Sequence, residues 1–182
     1  MSNYPILETD RLILRKIREE DADFLLEHFG NPEVVRYFGM SPMKERESAI
    51  GFIDSFKDGF ENNTVMRWAI TDKETGKTMG TVGFHNISNS YRRCEVGYDL
   101  SPAFWGKGIM PEALAIVIDF LFENRQMNRV GATIVNHNAA SSRVVEKLGF
   151  KNEGLLRHYI IQEGELLDAY MFSILKEEWD QR

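Results

Sequence analysis

The feature that most constrains this chain is a long apolar segment, "IMPEALAIVIDFLF", which directly follows "FWGKG". It covers residues 109–122 and is apolar around most of each helical turn, so as a helix it must be buried. Asp119 interrupts it, and it is too short to cross a bilayer. The run "RVGATIV" at 129–135 has few polar breaks, as a buried strand should. The sequence therefore predicts a helix packed on a sheet.

Hydrophobic periodicity predicts the other elements. The expected strands are "RLILRKI", "VMRWAIT", "KTMGTVGFHNI" and "RRCEVGYDL", with a closing hairpin of "LLRHYIIQ" and "LLDAYMFSIL" around the turn "EGE". Further helices are expected at "REEDADFLLEHFG" and "NAASSRVVEKLGF". No linker, repeat or low-complexity tract divides residues 1–182, and this length suits one core. We predict a single α+β domain with a mixed sheet between helices.

Capping residues predict where several helices begin and end. Asn31-Pro32 should open a short helical turn, with Asn as the cap and Pro at the first helical position. Ser41-Pro42 is predicted to open a longer helix in the same way, and Asn62-Asn63 should end it. Asn138 is predicted to cap the last of these helices, and Gly149 to terminate it.

Charge and composition exclude several classes of protein. With 22 basic and 28 acidic residues the net charge is −6, which gives no general attraction for nucleic acid. Cys94 is the only cysteine, so neither an intramolecular disulfide nor a cysteine zinc cluster can form. The four histidines lack metal-ligand spacing, and we expect no metal. "MSNYPILETDRLILRK" lacks the pattern of a secretory signal, so we expect a cytoplasmic protein that binds neither membrane nor nucleic acid directly.

The glycines and lysine of "WGKG", residues 105–108, stand where a helix start could bind an anion through unpaired N–H groups. The stretch is not a P-loop, because Ser101 replaces the first glycine and Gly108 follows Lys107. It is not a dinucleotide fingerprint, because Pro111 replaces the third glycine. Two interpretations of this stretch alone remain open. It holds a pyrophosphate, or its glycines only turn the chain beside a solvated lysine.

Longer stretches carry a family resemblance. "CEVGYDLSPAFWGKGIMPEAL" followed by "NHNAASSRVVEKLGFKNEG" resembles the GNAT superfamily of acetyl-CoA-dependent N-acetyltransferases, in particular the branch of ribosomal-protein N-terminal alanine and serine acetyltransferases. The likeness covers nearly the whole chain, since "LETDRLILRKI", "GNPEVVRYFG" and "GTVGF" resemble the family's opening strand, next helix and central strands. The resemblance implies the GNAT acyl-CoA N-acyltransferase fold, with acetyl-CoA as co-substrate.

The same resemblance implies where the cofactor binds. The family's pyrophosphate loop, Gln/Arg-x-x-Gly-x-Gly/Ala, falls on Trp105 to Met110 with Gly108 at its central glycine. Trp105 and Met110 depart from the outer positions, but the phosphates are bound by backbone donors. The implied loop residues are Trp105, Gly106, Lys107, Gly108, Ile109 and Met110. The strand ending at Leu100 should splay from the next one, so that the pantetheine amides pair with backbone groups around Leu100.

Asn138 and Ser141 stand in the family's Asn-x-x-Ser pattern at a predicted helix start. Asn138 can cap the helix with its oxygen while its amide nitrogen meets the cofactor. The resemblance implies that Ser141 faces the thioester and protonates the departing CoA thiolate. Because a thiol has a pKa of about 8.5, a hydrogen bond can serve nearly as well as full proton transfer. A plain helix-start residue remains the alternative for Ser141.

The base that deprotonates the amine is the least determined part of the site. Glu95, on the strand leading into the site, is the candidate, and a salt bridge to Arg92 or Arg93 is the alternative. Some relatives place a base in the closing strands where this chain has Ile160. Cys94 is interpreted as a core residue, because direct attack by an amine needs no cysteine nucleophile.

Two further sets of residues are assigned by position along the predicted strands and helices. A backbone N–H of Val96 or Gly97 is expected to bind the oxyanion of the tetrahedral intermediate. Phe38, Trp68 and Tyr159 are candidate walls of the substrate groove, although aromatic residues at such spacing are usually core.

We therefore expect direct transfer of acetyl from acetyl-CoA to a primary amine, foremost the N-terminal α-amine of a protein or peptide. At pH 7 about one in ten α-amines is neutral, against a few in ten thousand lysine side chains. A small amine, such as a polyamine, amino acid or antibiotic, is the second candidate. A non-catalytic CoA-binding module is the rival of another class, and Ser141 beside a complete cofactor loop argues against it. The sequence leaves open a monomer or a homodimer.

Overall fold

The computed structural model describes residues 4–182. Its strands are β1 (Leu7–Glu8), β2 (Leu12–Lys16), β3 (Met66–Asp72), β4 (Thr78–Ser88), β5 (Arg93–Leu100), β6 (Arg129–Val135), β7 (Lys151–Gln162) and β8 (Glu165–Leu175). Its α-helices are α1 (Ala22–Gly30), α2 (Pro32–Val35), α3 (Arg46–Glu61), α4 (Ile109–Glu123), α5 (Ala139–Lys147) and α6 (Lys176–Trp179). Short 3-10 turns precede α1 and follow β5.

The strands form one mixed sheet in the order β1-β2-β3-β4-β5-β6-β8-β7. Every neighbouring pair is antiparallel except β5 and β6, which are parallel. That pair is short, since it runs only from Arg93–Arg129 to Glu95–Gly131, whereas β4 accompanies β5 as far as Leu100. The sheet therefore splits beyond Glu95, as the family resemblance implies.

Helices cover both faces of the sheet, which confirms the predicted α+β class. Helices α4 and α5 share a core with one face, and α1 and α3 share a smaller core with the other. Alternation along β3 shows the division, because Trp68 packs on the α4 side and Ala69 on the α1 side. The interpretation of Trp68 as a wall of the substrate groove is wrong. It is fully buried, and its ring packs against Phe84 and Phe120.

Helix boundaries follow the predicted caps with one exception. Asn31 caps α2 by accepting a hydrogen bond from the Glu33 N–H (2.9 Å), and α3 ends next to Asn62 as expected. Ser41-Pro42 does not open α3, which begins four residues after Pro42. The Met43 N–H instead donates to the Phe29 carbonyl (3.0 Å), and this tertiary bond holds the segment against the end of α1. The two-residue β1 and the four-residue α6 were not predicted, because both are too short for a periodic signal.

Two glycines offer a matched test of this packing. A Cβ added to Gly83 in β4 would lie 2.2 Å from the Met66 carbonyl oxygen and 2.7 Å from Arg67 Cα, both backbone atoms that cannot easily move. We expect Gly83→Ala to lower the free energy of unfolding by roughly 2 kcal/mol or more. Gly51→Ala in helix α3 meets nothing within 4 Å and should raise it by about 0.5–1 kcal/mol. Urea unfolding of both variants measures the difference, and equal effects would contradict the close approach of β3 to β4 at Gly83.

Candidate active site

A cavity of about 700 Å³ lies where β5 and β6 diverge. We call it the main cavity. Its walls come from α2 and the turn after it, the end of β5, the loop into α4 and the first turns of α5. The lining residues that matter below are Glu33, Phe38, Tyr98, Asp99, Leu100, Trp105, Gly106, Gly108, Ile109, Met110, Asn138, Ser141, Arg143 and Lys147. All predicted cofactor residues except Lys107 therefore line one cavity.

Backbone groups of β5 point into the split between the strands. The Ser101 N–H donates to the Met79 carbonyl (2.8 Å), which fixes the residues of β5 that bond to β4. By the alternation of an antiparallel ladder, the N–H and C=O groups of Tyr98 and Leu100 face the other side. There, among residues 4–182, the pairing with β6 stops at Glu95. The end of β5 is thus an open edge that an amide-bearing ligand can pair with.

The side chain of Trp105 makes a hydrogen bond to one backbone group of that open edge. Its indole N–H donates to the Leu100 carbonyl (2.7 Å), while the ring is 50% exposed at the rim of the main cavity. The open groups are therefore the Tyr98 N–H, the Tyr98 carbonyl and the Leu100 N–H. The expected oxyanion donors are wrongly placed, because Gly97 faces Gly83 in β4 and Val96 adjoins the last β5–β6 pair. The Tyr98 N–H is the first that points into the gap.

Both glycines before α4 have left-handed backbones, with φ of 73° at Gly106 and 74° at Gly108. Most residues other than Gly and Asn adopt this conformation only with strain, which explains the glycines. A Cβ on Gly106 would meet nothing within 4 Å, so the backbone is open to a ligand there. The side chains of Ile109 and Met110 are buried and anchor the helix. The unpaired N–H groups of the first turn are then free to bind an anion.

An ion pair holds this loop from outside. Arg11 donates from Nε (2.8 Å) and Nη2 (2.5 Å) to one Glu112 carboxylate oxygen and from Nη1 to the Lys107 carbonyl (3.3 Å). The Thr9 hydroxyl donates to the other Glu112 oxygen (2.5 Å). Partial burial would raise the pKa of Glu112, but the Thr9 and Arg11 hydrogen bonds and the Arg11 charge outweigh it and lower the pKa. The Glu112 carboxylate therefore stays ionised, but the positive charge of Arg11 offsets its repulsion of an anion bound at the helix start.

Helix α5 supplies two of the three basic residues that line the main cavity, and the third is Arg36 after α2. Arg143 and Lys147 line the cavity on one side of α5, where they can contact phosphate groups. Lys107, which the sequence analysis favoured, lies outside the lining, and its Nζ sits 5.5 Å from the centroid of the Phe104 ring. The i, i+4 spacing of Arg143 and Lys147 after a capped helix start was the signal that the sequence analysis missed.

Ser141 is positioned by two neighbours. Its N–H donates to the Asn138 side-chain oxygen (3.1 Å), which confirms Asn138 as the helix cap. Its hydroxyl donates to the Tyr98 hydroxyl (2.8 Å), which in turn donates to the Ser141 carbonyl (3.0 Å). Burial raises the pKa of Tyr98 well above its usual value, so this phenol stays protonated. Tyr98 was not predicted as a site residue, and its role follows from the strand register.

Asp99 is buried at the floor of the main cavity and bonds to three side chains. Its carboxylate accepts hydrogen bonds from His28 Nε2 (2.6 Å), Arg67 Nη2 (2.6 Å) and the Thr81 hydroxyl (2.5 Å). The Thr81 N–H adds a fourth (3.0 Å). Burial alone would raise the pKa of Asp99, but the His28 hydrogen bond and the Arg67 charge lower it below its usual value. Asp99 is therefore a fixed anion whose oxygens are already occupied.

Glu95 lies outside the main cavity. It lines a second cavity, of about 310 Å³, together with Arg129, Tyr159 and Met171. One carboxylate oxygen accepts from Asn86 Nδ2 (3.2 Å) and the other from the Thr133 hydroxyl (2.8 Å). No ion pair joins it to Arg92 or Arg93 among residues 4–182. Tyr159 lines this second cavity, whereas Phe38 lines the main one.

Other chemistry finds little support in the part of the chain that is described. Cys94 is buried as predicted, and burial raises the pKa of its thiol to about 12, so it is not a nucleophile. Within residues 4–182, no group of three or more His, Cys, Asp or Glu side chains is arranged to hold a metal ion. Over the same residues, no helix combines the length and apolar character needed to cross a membrane.

Known proteins resemble this chain in sequence and in structure. Residues 11–151 match the family model "Acetyltransferase (GNAT) domain". YoaA of Bacillus subtilis, named as an uncharacterized N-acetyltransferase, is 39% identical over 95% of this chain and 98% of its own length. The ribosomal protein uS5-alanine N-acetyltransferase of Escherichia coli is 27% identical over 95% of this chain and 92% of its own length.

A solved structure has the same fold. The ribosomal-protein-S5-alanine acetyltransferase of Vibrio fischeri matches with a TM-score of 0.79 at 25% identity, covering 96% of this chain and 98% of that one. The chain therefore belongs to the GNAT family of acetyltransferases. Within that family it is an acetyl-CoA-dependent N-acetyltransferase.

Gly108 provides a test of anion binding at the start of α4. We expect Gly108→Glu to weaken acetyl-CoA binding roughly 100-fold, because a carboxylate would stand beside the pyrophosphate. Gly108→Asn is the matched control, since Asn tolerates the left-handed backbone and adds no charge. It should weaken binding by about tenfold or less. Isothermal titration of both variants, with thermal unfolding to verify the fold, measures the contrast, and similar losses in both would contradict a pyrophosphate at this position.

Proposed function

We propose that this N-acetyltransferase acts on the N-terminal α-amines of peptides or proteins. The observation that carries the proposal is that the main cavity has no buried carboxylate free to act as a strong base, because its lining carboxylates are those of Asp99 and Glu33, and Glu33 is exposed to solvent. The Asp99 oxygens are occupied, and hydrogen bonds with the Arg67 charge lower its pKa against the effect of burial. An acceptor that is already partly neutral then reacts best. An α-amine, with a pKa of about 8, meets this condition, whereas a lysine side chain at about 10.4 does not.

Relatives and overall charge support the same acceptor. The E. coli relative is named for acetylating alanine of a ribosomal protein, which indicates the class of substrate without fixing the one used here. A net charge of −6 favours a substrate whose residues after the N-terminus are basic, through modest steering that salt screens.

The cofactor in this proposal lies along the walls of the main cavity. The N–H groups from Gly106 to Met110 bind the pyrophosphate, with Arg143 and Lys147 supplying positive charge to the remaining phosphate. The pantetheine amides pair with the open backbone groups of Tyr98 and Leu100, in the manner of an added strand. The Asn138 oxygen caps α5, which leaves its amide nitrogen to donate to the same arm.

The reaction proceeds by direct attack. The amine nitrogen forms a bond to the acetyl carbonyl carbon, and the oxygen becomes an oxyanion that the Tyr98 N–H stabilises. The carbonyl then re-forms, the C–S bond breaks, and its electron pair leaves on the sulfur. The amine nitrogen loses one proton in this sequence and the thiolate gains one. The Ser141 hydroxyl donates toward the sulfur, and for this step its single proton turns away from the Tyr98 oxygen, to which it otherwise donates.

Substitution of Ser141 and of its neighbour Ser142 tests whether the Ser141 hydroxyl has a catalytic role. Ser141→Ala should lower kcat by roughly 10- to 100-fold with acetyl-CoA affinity nearly unchanged, the low end of acid–base effects, because a thiolate leaves without much help. Ser142, whose hydroxyl donates to the Asn138 carbonyl (3.3 Å), is the control, and Ser142→Ala should stay within about twofold. Steady-state rates from pH 6 to 9 decide the matter. A Ser141→Ala enzyme as active as its control would make Ser141 a plain helix residue.

A pair of peptides tests the acceptor. A short basic peptide with a free N-terminus should react faster near pH 7 than the same peptide blocked at its N-terminus but keeping its lysines. Its rate should also fall as salt rises. Spermidine and free amino acids complete the panel, and CoA release gives the rates. Faster reaction of the blocked peptide or of spermidine would overturn the assignment to α-amines.

A further inference from the structure

His85 of β4 lies where the sheet splits. It stands opposite Glu95 in the β4–β5 ladder, on the sheet face that carries α1 and α3. A Cβ added to Gly97 would lie 3.4 Å from His85 Cε1 and 3.7 Å from its Nδ1. The imidazole therefore covers Gly97. The next residue, Tyr98, has the N–H that points into the gap. No hydrogen bond to another residue among 4–182 occupies the ring.

Two charged groups act on this ring. Arg67 of β3 brings Nη1 to 3.4 Å from the same Gly97 Cβ position, and Glu95 of β5 is the cross-strand neighbour. Burial lowers the pKa of His85, the Glu95 charge raises it and the Arg67 charge lowers it, for a net decrease from the usual value of about 6.5. At pH 7 the imidazole is neutral and can accept a proton.

The two faces of the sheet divide the chemistry. Tyr98 and Ser141, which serve the leaving sulfur, lie on the face covered by α4 and α5. His85 lies on the opposite face beside Gly97, so in the proposal that follows the amine approaches the carbonyl carbon from that face through the split. The amine must approach one face of the carbonyl plane while the sulfur lies in that plane, so a proton acceptor and a proton donor at separate positions suit the reaction.

We propose that His85 takes the proton from the acceptor amine and that Glu95, across the ladder, is the counter-charge to the resulting imidazolium. As the amine nitrogen bonds to the carbonyl carbon, its proton passes to an imidazole nitrogen. The C–S electron pair leaves on the sulfur, which gains its proton from the Ser141 side. Product release leaves an imidazolium that returns its proton to water. Glu95 fits the supporting role, because both its oxygens already accept hydrogen bonds.

This inference extends the proposed function, since a weak base suits an α-amine of pKa about 8 better than a lysine at about 10.4. The experiment does not depend on that acceptor. Rates are measured with whichever amine of the panel reacts fastest, so a small amine that outperforms the peptide would overturn the proposed function and leave the test of His85 intact.

The test is the pH dependence of kcat at saturating substrates from pH 5 to 9. A base whose pKa is lowered is competent above that pKa, so the wild-type rate should fall as pH decreases through a midpoint below about 6.5. In His85→Gln the rate should drop roughly 100-fold or more and this acid limb should vanish. In Glu95→Gln the limb should remain and move to lower pH, because the charge that raises the pKa of His85 is gone.

Controls separate a base from a structural residue. His85→Gln should keep its acetyl-CoA affinity and thermal unfolding midpoint, and His158→Asn, which removes an exposed imidazole from β7, should keep wild-type kcat. An acid limb that survives in His85→Gln, or that only Glu95→Gln abolishes, would overturn the proposal. NMR titration of the histidine Cε1–H signals needs no acceptor. A His85 midpoint at or above 7, or one unlike the kinetic limb, would overturn it as well.

Discussion

The buried carboxylate of Asp99 is the interaction on which the site depends. A lone buried charge costs several kcal/mol, so this one persists only where donors surround it. Those donors come from α1, β3 and β4, through His28, Arg67 and Thr81. Together they fasten the end of β5 to β4 and to the helical layer above it. β5 is thus held away from β6, and its outer backbone groups are left for a ligand.

The fixed gap between β5 and β6 gives the main cavity two sides that differ in chemistry. The side under α5 has protonated hydroxyl groups, with Tyr98 held neutral by burial and Ser141 directed by its contact with it. The other side has the occupied anion, an arginine and a neutral imidazole. Neither side has a buried carboxylate free to act as a base, and under the proposed function this suits a thioester and a weakly basic amine as reactants.

Local signals in the sequence predicted what local geometry determines. Gly106 and Gly108 have the left-handed backbones that glycine adopts without strain, and Asn138 caps its helix through a bond to a residue three positions away. Ser41-Pro42 failed as a helix start because a tertiary hydrogen bond, from Met43 to Phe29, competes with it. A prediction from the sequence therefore holds where the hydrogen bond or backbone conformation that sets the structure is local, and fails where it joins residues distant in sequence.

The rest of the site depends on register, which a single sequence does not reveal. His28 and Asp99 are 71 residues apart and meet only because α1 packs over the end of β5. A solitary His85 has no spacing that suggests a function, and only the β4–β5 ladder sets it opposite Glu95. The likeness to a family predicted the split in the sheet but not which N–H points into it.

The short parallel seam between β5 and β6 has a mechanical consequence. Within residues 4–182, three residue pairs, from Arg93–Arg129 to Glu95–Gly131, form the only ladder between the five-stranded and three-stranded parts of the sheet. Rotation about this short seam would widen or narrow the mouth of the gap without breaking any other ladder of the sheet. A pantetheine arm that contacts the edges of both β5 and β6 would prevent this rotation. The bound cofactor would then also hold the two parts of the sheet in one relative orientation.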